Sequence, residues 1–593
     1  MFVLASTIHA QSDRKIVCPF PGDLQEGGVA AELMMKLAAW LHTPPYSGGD
    51  RLVALQNDDG GWDWPLDNGD PTTSSPPNTI GPIGMGLAHA YLNTGDIDML
   101  TALQNAGTFL LGKTNNFSPS DGYLAVQLDC VLGGSTYSDH LMTNYYGPLA
   151  AGTYDRNGAG TLYDTAGYVN MIRTARASQG IPNLAAWDIG MGLVAAAMIG
   201  ADTAAWIAGV KAEIDELNGN SYYDVIGLAG AVYGLAIVGE DFDPTAGEHS
   251  SATSLADLAF ILSGYQLATG GFTWNMYFLG EGEFNETIQE TAYALLALNE
   301  FDRSTYLANI TAAADYMRSV QLGSGGWENY VGSVSGENNE VTGEALWGIS
   351  AAYPIVLEYT GFEGLKAINE TVSLQASLVS PLTGPLDGRQ VDFMYDGTSI
   401  GDGMTDVSGI ASSSHPFPDA GVYEVYALFK CIQSDSVLIV IHDPSVGFIT
   451  GGGSIYSTDG SFPANPTLEG KATFGFVAKY KKGANTPDGN TQFQFKVADL
   501  SFHSTSYDWL VVAGAKAKFK GTGMINGMGN YGFMITAVDG DLLGEPGPDA
   551  FRIKITDGDI VVYDNKMGAS DADYAATELS GGSIVIHTDK KTK

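Results

Sequence analysis

The chain has 593 residues, with 67 Asp and Glu against 28 Lys and Arg and a formal net charge of −39. That length is too great for one core and predicts about three or four domains, while 45% hydrophobic residues predict a folded chain. The charge balance argues against nucleic acid and anionic membrane surfaces, which need basic patches, and leaves neutral sugars, cations or basic partners open.

Residues 1–10 open the stretch "MFVLASTIHAQS", which reads as the tail of a signal peptide with cleavage after Ala10, although its positive n-region is missing. A cytosolic protein with an unusual start is the alternative. Cys18, Cys130 and Cys431 make no zinc spacing and no disulfide framework; a Cys18–Cys130 bridge and buried free thiols are both compatible with them. Gly and polar residues interrupt every later apolar run, so no membrane span is expected. An extracellular or cell-surface protein is expected.

Over about 25–365 the pattern is helical. "GGVAAELMMKLAAWLH" (27–42), "AWDIGMGLVAAAMIG" (186–200), "YYDVIGLAGAVYGLAIVG" (222–239) and "TIQETAYALLALNEF" (287–301) are apolar on nearly every face, as helices enclosed by other helices are. "SLADLAFILSGYQ" (254–266) and "YLANITAAADYMRSVQ" (306–321) are amphipathic and suit an outer layer. Period-two alternation is nearly absent, so strands are not expected here.

A short motif recurs three times: "LQNDDGGWDW" from Leu55, "YQLATGGFTW" from Tyr265 and "VQLGSGGWEN" from Val320. Gln closes an amphipathic helix, two glycines break it, an aromatic follows (Trp62, Phe272, Trp327), and a buried helix begins near Thr79, Thr291 or Thr342. Aromatic and Thr are separated by 17, 19 and 15 residues, the mark of a repeated helical hairpin. Weaker copies at 177–192 and 216–230 bring the expected number to about six or seven hairpins. The pattern resembles the terpenoid cyclase and protein prenyltransferase superfamily, whose hairpins close into an α/α toroid. Polysaccharide lyases and glycoside hydrolases with α/α barrels look alike at this level. The resemblance implies an (α/α)6-type toroid.

Near residue 370 the character changes to short alternating strands punctuated by Gly, Pro and Asp. "PLDGRQVDFMYDG", "TDVSGIA" and "AGVYEVYALF" resemble bacterial Ig-like repeats, over about 370–443. The remainder, about 446–588, is a second β-region similar to a C-terminal module of secreted bacterial multidomain proteins, sometimes called post-COAP; the resemblance implies export. The expected architecture is therefore multidomain, an all-α toroid followed by two all-β sandwich domains.

A toroid's cavity lies where its inner helices begin, so the loops entering them are expected to line its mouth. They supply Trp62, Trp64, Trp274, Tyr277, Trp327 and Tyr223 as rings to stack on sugars. Asp63 and Glu290 are a candidate acid/base pair. "SDHLMTNYYGPL" offers His140 and Tyr146, beside Asn144 and Tyr145, in a lyase-like set. The competing reading is structural: Trp62 and Trp327 pack between hairpins, Asp188, Asp224 and Glu290 serve inner-helix N-termini, and His140 is a satisfied structural residue. Three chemistries fail on sequence. "GEDFDP" lacks the Asp-rich motif of proton-initiating cyclases, Cys130 and His140 lack the zinc motif of prenyltransferases, and Cys-Gly-Glu-Gln of thioester proteins is absent. Asp67 and Asp70 in "DNGDP" could hold Ca²⁺ through oxygen ligands, against the alternative of a solvated turn. Two functions remain: an extracellular protein whose toroid binds a polysaccharide or cell-surface glycan, with cleavage by a lyase or hydrolase route open and the β-modules as spacer and anchor, or a non-catalytic structural or adhesive surface subunit that self-assembles.

Overall fold

The computed structural model describes residues 45–587, except 65, 67–69, 220–222, 276–285, 444–446, 482–483, 485, 545 and the side chain of residue 46. The expected signal-peptide remnant, Cys18 and the 27–42 helix lie outside the described residues. The chain divides into a helical unit running to Ile355, with which Val379–Leu386 is grouped, and a β unit from Val356.

Among the described residues the helical unit has six inner helices: Ile80–Thr94, Ser120–Leu132, Leu184–Ile199, Asp224–Val238, the first leg of Ile288–Ser319, and Asn339–Ala352. Each packs on the next, and the sixth packs on the first. Small residues make this possible. A Cβ on Gly86 would meet the Gly343 carbonyl oxygen at 2.2 Å, and one on Gly190 would meet that of Gly230 at the same distance. The inner helices therefore touch backbone to backbone, which explains why they are apolar all round yet rich in Gly and Ala. The Ile288–Ser319 run breaks at Asp302 (φ −160°, ψ 89°). There the Asp302 carboxylate accepts from the backbone N–H groups of Ser304 and Thr305 and starts an outer leg, so one hairpin needs almost no loop.

The recurrent motif is a set of hydrogen bonds. Gln56, Gln266 and Gln321 each donate through Nε2 to the carbonyl of the glycine four residues on, at 3.0, 2.8 and 2.7 Å. The Trp62 and Trp327 indole N–H groups turn back to the Leu52 and Met317 carbonyls, at 2.8 and 2.7 Å, satisfying the ends of outer helices that have no further turn to donate to them. The Thr291 and Thr342 hydroxyls accept from the backbone N–H of Phe272 and Trp327, at 2.8 and 3.1 Å, while Thr79 Oγ1 donates to the Trp62 carbonyl at 3.4 Å. The aromatic-to-Thr spacing read from sequence is thus the tie between each mouth loop and its inner helix. Thr342→Val should cost about 1–2 kcal/mol by leaving the buried Trp327 N–H unpaired. An unchanged urea midpoint would show that this tie does not stabilise the hairpin.

The expectation of no strands in this part needs correction. Two-residue antiparallel ladders join Phe272–Thr273 to Glu286–Thr287, Trp327–Glu328 to Glu337–Asn338, and Tyr154–Asp155 to Leu162–Tyr163. They are too short for period-two patterning to reveal. Cys130 and Cys431 each take part in a disulfide, which corrects the free-thiol reading for both.

In the β unit, Thr371–Ser380 buries every second residue and pairs with Ile410–Pro416 and Val356–Tyr359. A second sheet holds Thr398–Met404, Gln390–Tyr395, Gly421–Phe429, Val437–His442 and Gly364–Ala367 in that order. The expected second sandwich is instead one continuous sheet. Eight strands from Phe448–Ser457 to Ile560–Asp564 pair in chain order, all antiparallel, and Gly581–His587 returns to the free edge of the first. The sheet curls on itself: Phe474 and Phe551, five strands apart, stack at 3.8 Å between ring centroids. Register shifts at Ser504/Ser506 and Tyr507/Trp509 supply local bends. Because each of these eight strands follows its neighbour by a hairpin, the hydrogen-bond ladder never breaks into two sheets.

Candidate functional site

A cavity of about 620 Å³ opens where the six inner helices begin, and residues in or just before the first turns of all six line it, Asn78, Ser120, Leu184, Tyr223, Gln289 and Glu340 among them. Of the expected site residues, Trp64 and Tyr223 are in its wall; Asp63, Glu290, His140, Tyr146, Trp62, Trp274 and Trp327 are not. Tyr277 and Asp67 lie outside the described residues.

Trp64, 58% exposed, reaches from the first mouth loop and donates its indole N–H to Glu340 Oε2 at 2.9 Å. Asn338 caps the sixth inner helix, accepting from the Glu340 and Val341 N–H groups at 2.9 and 3.2 Å, which fixes the Glu340 side chain at the cavity. Enclosure raises the Glu340 carboxyl pKa; the Asp188 charge adds to the rise, and the Trp64 bond and Arg176 oppose it. One turn on, burial and then the Glu340 charge drive Glu344 far up as well. Both therefore favour the acid form.

Asp188, on the third inner helix, is bound by two guanidinium nitrogens of Arg176, from the outer helix Thr165–Ser178. Arg176 also donates to Gln179 Oε1 at 3.2 Å. The opposite wall, Phe117 to Ser120, rests on the buried Lys113–Asp121 ion pair, with Asp121 accepting the Ser118 N–H at 2.9 Å. Tyr223 holds φ 70° and ψ 14°, a left-handed conformation rare for a bulky residue. Its carbonyl accepts the Gly227 N–H at 2.9 Å and starts the fourth inner helix. Tyr123 and Trp187 also line the cavity, and neither the Tyr123 hydroxyl nor the Trp187 indole N–H makes a hydrogen bond of ordinary geometry.

The remaining expected residues have other partners. Trp62 and Trp327 are fully buried and present no face to a ligand. Trp274 packs its ring on Tyr330 at 5.7 Å between centroids. Asp63 accepts from Asn57 Nδ2 at 3.2 Å and Thr73 Oγ1 at 3.4 Å. Glu290 is 2% exposed in the first turn of the fifth inner helix, and burial pushes its carboxyl up to about 7. His140 bonds the Lys113 carbonyl through Nε2 at 2.9 Å and faces Asn144 Nδ2 through Nδ1 at 3.2 Å, so both ring nitrogens are engaged. The Tyr146 ring is buried among Tyr145 and the second inner helix, its hydroxyl lying against Gly122. Asp70 is exposed and accepts from Thr72 N and Oγ1, which is the turn alternative; among the described residues no cluster of three or more His, Cys, Asp or Glu could hold a metal ion.

Sequence reading missed Arg156, Arg176, Gln289 and Glu340. One signal was available: Pro77, Gln289 and Glu340 all lie two residues before the motif's Thr, and all three line the cavity.

Among the described residues no helix is long and apolar enough to cross a membrane. No family model matches the chain, and no curated protein matches it. Among solved structures it is similar to a protein from Actinoplanes, with 18% identity over 53% of this chain and 99% of that one, at a TM-score of 0.32. It is also similar to a GH127 β-L-arabinofuranosidase from Geobacillus stearothermophilus T6 (8% identity, 78% and 93% covered, TM-score 0.27) and to the D0-D1 domain of intimin (15% identity, 35% and 95% covered, TM-score 0.17). At these TM-scores none of the three defines the fold or the activity of this chain.

Proposed function

We propose that the helical unit is an (α/α)6-type toroid of an extracellular or cell-surface protein, that its cavity binds a polysaccharide, and that the Ig-like part (about 370–443) and the C-terminal module (about 446–588) serve as spacer and anchor. The observation that carries this reading is the cavity itself. Its volume, about 620 Å³, is that of a site for a few sugar rings, and it combines the faces of Trp64, Trp187 and Tyr223 with a carboxyl, Glu340, whose pKa enclosure raises above the ordinary carboxylate range. If the bound polymer is cleaved, Glu340 is the group suited to protonate a leaving oxygen. Glycan-array binding and reducing-end release by the full chain test the proposal. Trp64→Ala, at an exposed position, should weaken binding about tenfold by removing a stacking face and the Glu340 bond. No binding and no cleavage across plant, algal and bacterial polymers would end it.

One observation favours a second reading, a non-catalytic structural or adhesive subunit. Asp188 is tied up by Arg176 in two bonds, and Glu290 does not line the cavity, so among the described lining residues no carboxylate stands free beside Glu340 as a base. Light scattering of the full chain, with and without Ca²⁺, separates the two; a strict monomer at high concentration counts against assembly.

A further inference from the structure

We propose that the cavity's ligand is an anionic sugar, one bearing a carboxylate or sulfate, and that Arg156 binds that group. The inference rests on the polysaccharide reading and narrows its substrate class.

Five described arginines are matched to acids, Arg51 to Glu337, Arg173 to Glu213, Arg176 to Asp188, Arg318 to Asp315 and Arg552 to Asp564, and Arg303 is held by the Asn299 amide oxygen and the Ala351 and Ala352 carbonyls. Arg156 lines the cavity with an exposed side chain and, among the described residues, has no carboxylate within ion-pair distance. Its Nη1 rests 3.4 Å from Met171 Sδ, a weak acceptor that leaves the fork of donors open. Its charge is near enough to Asp188 and Tyr168, both in the cavity wall, to oppose the rise that burial gives their pKa values.

Three features around it agree. The N-termini of all six inner helices meet at this end, bringing the positive ends of their dipoles together. Arg176 cancels Asp188, and the remaining carboxyl of the wall, Glu340, already accepts the Trp64 indole N–H and is shifted toward its acid form by enclosure, so Arg156 is the full charge left unmatched. The Tyr123 hydroxyl lies buried in the cavity wall near Ser120 with no hydrogen bond of ordinary geometry, a donor that a ligand oxygen could engage. A guanidinium meets a carboxylate or sulfate through two parallel bonds, a geometry that neutral hydroxyls do not reproduce. At 0.15 M salt the screening length is about 8 Å, so the charge of the rest of the chain does not mask the site.

The test uses calorimetry on the full chain at 0.15 M salt. The probes are oligogalacturonate, a sulfated galactan oligosaccharide, and neutral dextran and arabinan oligosaccharides. One or both anionic probes should bind at least about tenfold tighter than the neutral ones. Arg156→Ala should remove that preference without changing the urea midpoint, and Arg156→Lys should restore part of it through charge alone. Binding of neutral sugars only would overturn the anionic inference and leave the polysaccharide reading intact. Anionic binding unchanged in Arg156→Ala would overturn the role of Arg156. No binding to any probe, together with a blank glycan array, would remove both.

Discussion

Gly325→Val is expected to cost more than about 4 kcal/mol and to open the ring of helices where its last hairpin meets its first. Gly325 has φ +100°, a conformation that a β-branched side chain does not adopt without strain. A Cβ there would also stand 2.2 Å from the Ser47 carbonyl oxygen, in the first outer helix. Backbone cannot swing aside as a side chain can, so the two elements must separate. The seam around this contact would fail with it: Gln321 Nε2 to Ser47 Oγ at 3.2 Å, and the Arg51–Glu337 ion pair at 2.6 Å, itself braced by Ser324. Gly323, two residues earlier, has nothing within 4 Å of an added Cβ, and Gly323→Ala should be close to neutral. Chemical denaturation of both variants tests the argument. A Gly325→Val protein within about 1 kcal/mol of the parent would mean that the closure contact does not support the unit.

The ring was legible where its ties are local. Gln, two glycines and an aromatic sit at fixed spacing because one side chain bonds the glycine carbonyl and the loop bonds the next helix through Thr. Gly60 and Gly270 repeat the Gly325 contact, against the Asn105 and Ala312 carbonyls at 2.3 Å each. Where a hairpin is tied otherwise, the signal fades. The Asn183 amide exchanges two hydrogen bonds with the Asn218 backbone, at 2.9 and 3.1 Å, and does with one side chain what the motif does with a loop. The curled C-terminal sheet was illegible for a different reason: alternation gives the buried face of each strand but not whether the seventh strand folds back over the second.

The site was legible only as a place. Loop position marked Trp62, Trp64 and Trp327 alike, but the direction of each indole depends on which acceptor is left over. Two helix ends had carbonyls without donors and took Trp62 and Trp327; Trp64 lay beyond reach of one and turned to Glu340. Arg156 lies in an irregular stretch and Arg176 on an outer helix, so no periodicity assigns either to the cavity. Only closure of the ring brings the third hairpin's arginines beside the sixth inner helix's glutamate.

That closure also sets the pH response of Glu290. Burial pushes its carboxyl from 4.5 up to about 7, against the smaller opposing pull of Thr287 and its own backbone N–H, and its Oε2 has no hydrogen-bond partner. A pKa raised in the folded state means that folding favours the proton. Below about pH 4.5 both states hold it and Glu290 costs nothing. As pH rises from 4.5 to 7 the unfolded chain ionises first, and stability falls until the folded group ionises too. The loss is under about 1 kcal/mol at pH 5 and about 3 kcal/mol at pH 8. Glu290→Gln keeps the shape and cannot ionise. It should match the parent within about 1 kcal/mol at pH 5, which stays above the pI of about 4.3, and exceed it by about 3 kcal/mol at pH 8. Other acids shift in both directions, so the quantity to follow is the difference between variant and parent, from urea midpoints at each pH. Equal stability at pH 8 would mean that a partner compensates the ionised carboxylate. A variant less stable at every pH would make Glu290 a needed acceptor at the start of the fifth inner helix. Either result would overturn the account of Glu290 as a carboxyl held neutral by burial alone.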